Sequence, residues 1–166
     1  LDDQTTVVVF VDGDYSDDPT EASSVLAPIL ANEADLVIGS RVLGRREAGS
    51  LTPQQRFGNA LATLLIRWLY AEHYTDLGPF RAIRRDALER IGMIDRDFGW
   101  TVEMQVKAAR EGLRSTEVPV SYRKRFAGES KVAGTLMGSI RAGRKILSTI
   151  FRHAGPTSSD HTAKPT

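Results

Sequence analysis

The chain has 166 residues, 41% of them apolar and 26% charged, with 22 Lys or Arg against 21 Asp or Glu. That length suits one domain with a sizeable core, and a net charge of +1 argues against a general nucleic-acid binder. With no cysteine there is no disulfide framework, no zinc–thiolate site and no thiol nucleophile, and a reducing compartment is allowed.

No apolar run is long enough to span a bilayer, and the N-terminus lacks a signal pattern. After a few polar residues the chain enters Val7-Val8-Val9-Phe10-Val11, a run that predicts a strand buried on both faces. So early an entry predicts a chain that begins partway through a domain. The strand ends on Asp12-Gly13-Asp14. Carboxylates need water, a partner or a metal, and the carboxyl end of an α/β strand is where ligands bind. Oxygen-only donors on a tight turn predict a hard divalent cation, Mg2+ or Mn2+, shared with a phosphate; solvated turn residues are the plain alternative.

Asp18, Pro19 and Glu21 predict a capping-box-like helix start, with Ala22, Val25, Leu26, Ile29 and Leu30 on the buried side as far as about Asn32. A second strand, Ala34 to Gly39, runs into Ser40 and Arg41, whose guanidinium either clamps a phosphate or pairs with Asp12 or Asp14. Leu43 to Pro53 reads as a mobile surface loop. From Gln54 a helix is predicted, with Phe57, Leu61, Leu64, Leu65, Trp68 and Leu69 as mostly core packing, against a less favoured lipid-facing role. Arg56, near its start, is a solvated charge or a second anion contact.

Asp76-Leu77-Gly78-Pro79 predicts a sharp turn, Phe80 to Ile83 a short strand, and Arg85 to Ile91 a helix stopped by Gly92. A further helix follows with Thr101 as N-cap, running to Glu111. Glu103 in its first turn is either a carboxylate placed by the helix dipole or a general base facing a pocket. Short strands at Arg114–Pro119 and Val120–Tyr122 lead into Arg123-Lys124-Arg125 and on to Ser130-Lys131, a basic segment suited to a diphosphate or to a solvated face. Val132 to His153 reads as a basic amphipathic helix with Leu136, Ile140, Leu147, Ile150 and Phe151 on one face, docked on the domain or laid on an anionic membrane. Ala154 to Thr166 reads as a disordered tail.

Taken in order, these motifs resemble the family-2 glycosyltransferases, nearest the dolichyl- or polyprenyl-phosphate mannose and glucose synthases. Val11-Asp12-Gly13-Asp14 resembles the DxD motif, and Ile38-Gly39-Ser40-Arg41 the segment after it. Asp76 to Arg81 resembles the turn that shapes the acceptor pocket, with Glu103 on the following helix and Arg123, Arg125, Ser130 and Lys131 in the late basic segment.

The resemblance implies an α/β GT-A fold over residues 1–153: a mostly parallel sheet flanked by helices, then the amphipathic helix. It implies hexose transfer from a nucleotide-sugar to an acceptor with inversion, the acceptor being a hydroxyl or a polyprenyl phosphate. Asp12 and Asp14 would hold the Mg2+ or Mn2+; Arg41, Arg123, Arg125, Ser130 and Lys131 would bind the donor diphosphate; Glu103 and Asp76 would be catalytic. A lipid phosphate is already ionised, and Glu103 would then only orient groups. A cytoplasmic location follows, peripheral at the membrane face, with no nucleic-acid partner. The family's opening strands, which recognise the nucleoside, would precede Leu1, so an incomplete chain acting only by association is the alternative. Ser16 stands where a stronger metal ligand is common in this branch. Haloacid dehalogenase-type phosphatases also run an apolar strand into Asp-x-Asp, but the later acidic pair they need is missing, and they rank last.

Overall fold

The structure is a computed structural model that describes residues 4–97, 99–124 and 136–152, with side chains from 143 onward in the last segment. Among the described residues four strands form one sheet: β1 (Val7–Phe10), β2 (Leu36–Ser40), β3 (Arg81–Arg84) and β4 (Ser115–Pro119). They lie in the order β1-β3-β2-β4. β3 is antiparallel to both β1 and β2, with Phe10 and Ile38 each opposite Arg81, and β2 pairs with β4 in parallel. Three strands therefore run one way and β3 against them. The sheet is mixed, where a mostly parallel one was expected, because apolar runs carry no sign of strand direction.

Helix α1 (Ala22–Leu30) covers one face of the sheet; Val25 and Ile29 meet Val37, Phe80, Ala82 and Val120 there. On the other face, Ile66 of α2 (Pro53–Tyr70), Ile91 of α3 (Arg85–Ile91), Val102 and Val106 of α4 (Trp100–Arg110) and Ile150 of α5 (Leu136–Arg152) pack on Leu36, Ile38 and Ile83. The central strand β2 is buried throughout. β1, expected to be buried on both faces, is instead an edge strand of these four, with Val9 36% exposed. On the α1 side Leu30 is also exposed, at the helix's last turn.

Local signals hold at several ends. Asp18 accepts from the Thr20 N–H and Pro19 opens a single 3-10 turn (Pro19–Glu21) before α1. Glu21 does not close a capping box; its carboxylate accepts from the Ser121 N–H and hydroxyl, pinning the strand-end segment 121–124. Thr52 and Gln55 form a full capping box for α2, and Gly92 ends α3 in the left-handed region, φ 53°. α4 starts at Trp100 with Gly99 as N-cap, so Thr101 lies inside the helix. Trp100 is held there by its ring contact with Phe10, centroids 5.2 Å apart.

The stripe on α2 departs most from expectation. Leu65 and Leu69 pack on the core, but Phe57, Leu64 and Trp68 are exposed. The helix is apolar on two opposite sides, and spacing alone cannot say which one meets the sheet. On α5, Ile150 is buried while Phe151 is half-exposed. The tail from 154, like Arg125, Ser130 and Lys131, lies outside the described residues.

Candidate active site

Two turns meet the rim where the strands end, and they are built in opposite ways. The first, residues 74–78, is held from every side. Asp76 is fully buried and receives three hydrogen bonds from Arg41: its backbone N–H and Nε to Oδ2, both at 2.8 Å, and Nη2 to Oδ1 at 2.7 Å. Burial alone would lower the Arg41 pKa, but its bonds to the Asp76 carboxylate and that carboxylate's charge outweigh it and hold the guanidinium firmly charged. Its Cζ lies 4.9 Å from the Tyr122 ring centroid, a cation–π contact. Arg41 was expected to clamp a phosphate or to pair with Asp12 or Asp14; the carboxylate it grips is Asp76.

The backbone of the same turn is fixed by three further side chains. Glu117 of β4 accepts from the Thr75 and Asp76 N–H groups at 2.9–3.1 Å. Asn59 of α2 donates to the Thr75 carbonyl and accepts from the Leu77 N–H, and Gln105 of α4 donates to the Asp76 carbonyl. Ser40 and Thr75 hydroxyls bond at 2.7 Å. Gly78 lets the turn lie against β2: a Cβ there would stand 2.8 Å from the Gly39 carbonyl oxygen. Below it the fully buried Arg81 donates to the Gly78 and Thr101 carbonyls and stacks on Trp100. Burial pushes the Arg81 pKa down to about 9.

Glu103 sits on α4, buried, and is fully engaged. It accepts from the Ile94 and Asp95 N–H groups and pairs with Lys107 at 2.7 Å. Burial raises its pKa, but Lys107 and the two amides outweigh that and hold it below the usual range. These bonds give Glu103 a structural task, tying the 93–95 loop to the helix.

The second turn is acidic and crowded. Asp14 Oδ1 accepts from the Ser16 N–H at 3.0 Å and the Ser16 hydroxyl at 2.5 Å, and Tyr15 between them takes a left-handed φ of 63°. Ser16 is fully buried and holds Asp14 in place. Asp17, 2% exposed, accepts a long bond from the Asp12 N–H through Oδ2, while its buried Oδ1 has no hydrogen-bond partner. Burial, with the charges of Asp12 and Asp14 adding, raises the Asp17 pKa to about 6. Tyr122 joins the two turns, forming a bridge with Asp17 while Arg41 stacks on its ring. Arg123, first of the expected diphosphate contacts, donates its backbone N–H to the Ser16 carbonyl and pairs with Asp18.

Oxygen ligands, a strained turn and an orphaned buried carboxyl oxygen fit a hard cation at Asp12 and Asp14. Among the described residues no group of three His, Cys, Asp or Glu is arranged to hold a metal. Sequence reading missed Glu117, Asn59, Gln105 and Tyr122, whose partners are far along the chain and leave no local spacing.

A mixed sheet with helices on both faces, its strand ends carrying an Asp-x-Asp turn beside an arginine–aspartate clasp, is a GT-A arrangement. The structure matches a crystal structure of glucosyl-3-phosphoglycerate synthase from Mycobacterium tuberculosis with a TM-score of 0.66 at 18% identity, covering 94% of this chain and 52% of that one. Residues 3–92 match Glycosyl transferase family 2, and the chain belongs to that family. It is 38% identical over 139 residues to an uncharacterised glycosyltransferase of Mycobacterium tuberculosis, covering 83% of this chain and 62% of that protein. To the undecaprenyl-phosphate mannosyltransferase of Micrococcus luteus it is 31% identical over 136 residues, covering 80% of this chain and 55% of that protein. The chain thus spans between half and two thirds of these relatives. Family membership removes the haloacid dehalogenase reading.

Proposed function

We propose that the protein containing this chain transfers a hexose from a nucleotide-sugar to a polyprenyl phosphate, with inversion at the anomeric carbon. The observation that carries it is the acidic turn, where Asp17 crowds Asp12 and Asp14 and leaves one buried oxygen without a partner. Asp12 and Asp14 would hold Mg2+ or Mn2+, which neutralises charge on the departing nucleoside diphosphate. Arg41, set in one orientation by Asp76 and Tyr122, presents a fixed cation at the same rim. Arg123 leads the basic segment in which Arg125, Ser130 and Lys131 are assigned to the same diphosphate.

A phosphate acceptor needs no general base, because it is ionised near neutral pH. That agrees with Glu103 and Asp76, whose oxygens are committed to Lys107, backbone amides and Arg41. Both act here as positioning residues. The similarity to a named undecaprenyl-phosphate mannosyltransferase supports the lipid-phosphate acceptor. Such an acceptor implies peripheral contact with the cytoplasmic face of a membrane; no described helix is long and apolar enough to cross one.

The test is transfer of labelled hexose from nucleotide-sugars to a short polyprenyl phosphate, with the product anomer read by NMR. Metal-dependent product of opposite anomeric configuration, lost in Asp14→Asn and retained in Glu103→Gln, is the expected result. Transfer abolished by Glu103→Gln in a folded protein would instead restore the general base and a hydroxyl acceptor.

A further inference from the structure

Phe57, Leu64 and Trp68 are 71%, 60% and 76% exposed, and with the half-buried Leu61 they repeat at helical spacing along α2. At 100° per residue these four share one narrow stripe, opposite the side on which Ala62 and Ile66 enter the core. An exposed aromatic stripe over this length of helix is costly in water and marks a contact surface.

Its charge surroundings name the contact. α2 and its packed neighbour α5 contain no Asp or Glu, although acids and bases are balanced in the whole chain. Tyr70 of α2 donates to the Ile150 carbonyl of α5 at 2.5 Å, so the two helices lie together. Arg56 and Arg67 flank the stripe on one side. They line, with Arg46 and His73, a groove of about 460 Å³ whose walls include no carboxylate. On α5, exposed Phe151 stands beside exposed Arg152. A second copy fits poorly, since an antiparallel two-fold contact would bring these arginines against each other, and in either orientation four side chains fall short of the roughly 800 Å² per partner of a stable interface.

We propose that the Phe57–Leu61–Leu64–Trp68 stripe of α2 beds into the surface of a bilayer containing anionic lipid, with Arg56 and Arg67 at the headgroups. Aromatic and aliphatic side chains at the acyl boundary with arginines beside them are the composition of an interfacial helix. The placement rests on the lipid-phosphate reading and sharpens it. The groove beside the stripe is lined by Tyr74 and Thr75, so the bedded face adjoins the turn that carries Asp76.

The experiment is co-sedimentation of the chain with vesicles of phosphatidylcholine alone or with added phosphatidylglycerol. The chain is expected to bind the anionic vesicles, with brominated lipid quenching Trp68 emission in a Trp100→Phe background. F57Q/W68Q should weaken partition about tenfold or more with unchanged circular dichroism. R56Q/R67Q should weaken it by roughly fivefold for each arginine removed. Vesicle binding unaffected by F57Q/W68Q, absence of vesicle binding by the folded chain, or dimerisation that depends on the stripe would each overturn the proposal. Quenching of Trp68 in the otherwise unaltered stripe decides the matter if the double variant does not fold. Transfer to a short, water-dispersed acceptor reports the function separately: transfer without vesicle binding sinks the stripe alone.

Discussion

The two turns at the rim differ in how their carboxylates are satisfied. Around Asp76 the carboxylate and the turn's backbone groups are met from other elements by Arg41, Asn59, Gln105 and Glu117, and the buried atoms left over there, the Tyr74 hydroxyl and Gln105 Oε1, are neutral. Around Asp12 and Asp14 the chain adds a third acid, a left-handed Tyr15 and an orphaned oxygen. The charge of the first turn is compensated by the chain itself, through Arg41, and the turn acts as a rigid wall. The second stores like charge and strain that a cation would relieve, as functional sites often do. Preorganisation and unmet need sit side by side, joined through Tyr122.

Substitutions can break this contrast. The largest effect belongs to Asp76→Ala, which leaves Arg41 buried without its carboxylate and should cost about 3–5 kcal/mol in urea unfolding. Asp12→Ala, by contrast, should leave stability within about 1 kcal/mol of the parent while removing Mn2+ binding. Equal losses at both positions would erase the distinction.

Next comes pH. The folded Asp17 pKa of about 6 lies above its unfolded value of 3.8, so the native state holds the extra proton between them. Stability from this group is fully present below about pH 4 and falls as pH rises through about 6, by roughly 2–3 kcal/mol at most. In chelator, Asp17→Asn should flatten that dependence and raise the melting temperature at pH 7. A parent and variant with the same pH profile would remove the crowding argument.

Glu117→Ala strips the acceptor from two buried amides and should cost about 1–3 kcal/mol, with Glu117→Gln recovering most of it. The smallest effect is expected at Tyr15, where glycine relieves the left-handed strain and should stabilise by about 1 kcal/mol. Differential scanning calorimetry reads both.

Much of the frame was legible locally. Asp18 with Pro19, Gly92, and the apolar run of β2 each announce an element through forces acting within a few residues. The Asp-x-Asp turn and Arg41 were placed at the rim because strand ends face it. Glu117 and Thr75 are 42 residues apart, and no periodicity couples them. Asp76 was given a catalytic role by resemblance alone, and its pairing with Arg41, just past β2 and 35 residues earlier, leaves no local signal. The stripe on α2 was misread for a related reason: apolar spacing records that two faces exist, while only packing selects the inner one.

On the proposed function the metal goes to the acidic turn and not to the Asp76 clasp, whose Arg41 faces the diphosphate. Mn2+ titration of chelator-treated chain, followed by electron paramagnetic resonance with and without inorganic pyrophosphate, tests it most directly. The expected result is Mn2+ binding that pyrophosphate strengthens, lost in Asp14→Asn and preserved in Glu103→Gln. No Mn2+ uptake by the folded chain, or uptake equal in Asp14→Asn, would contradict it.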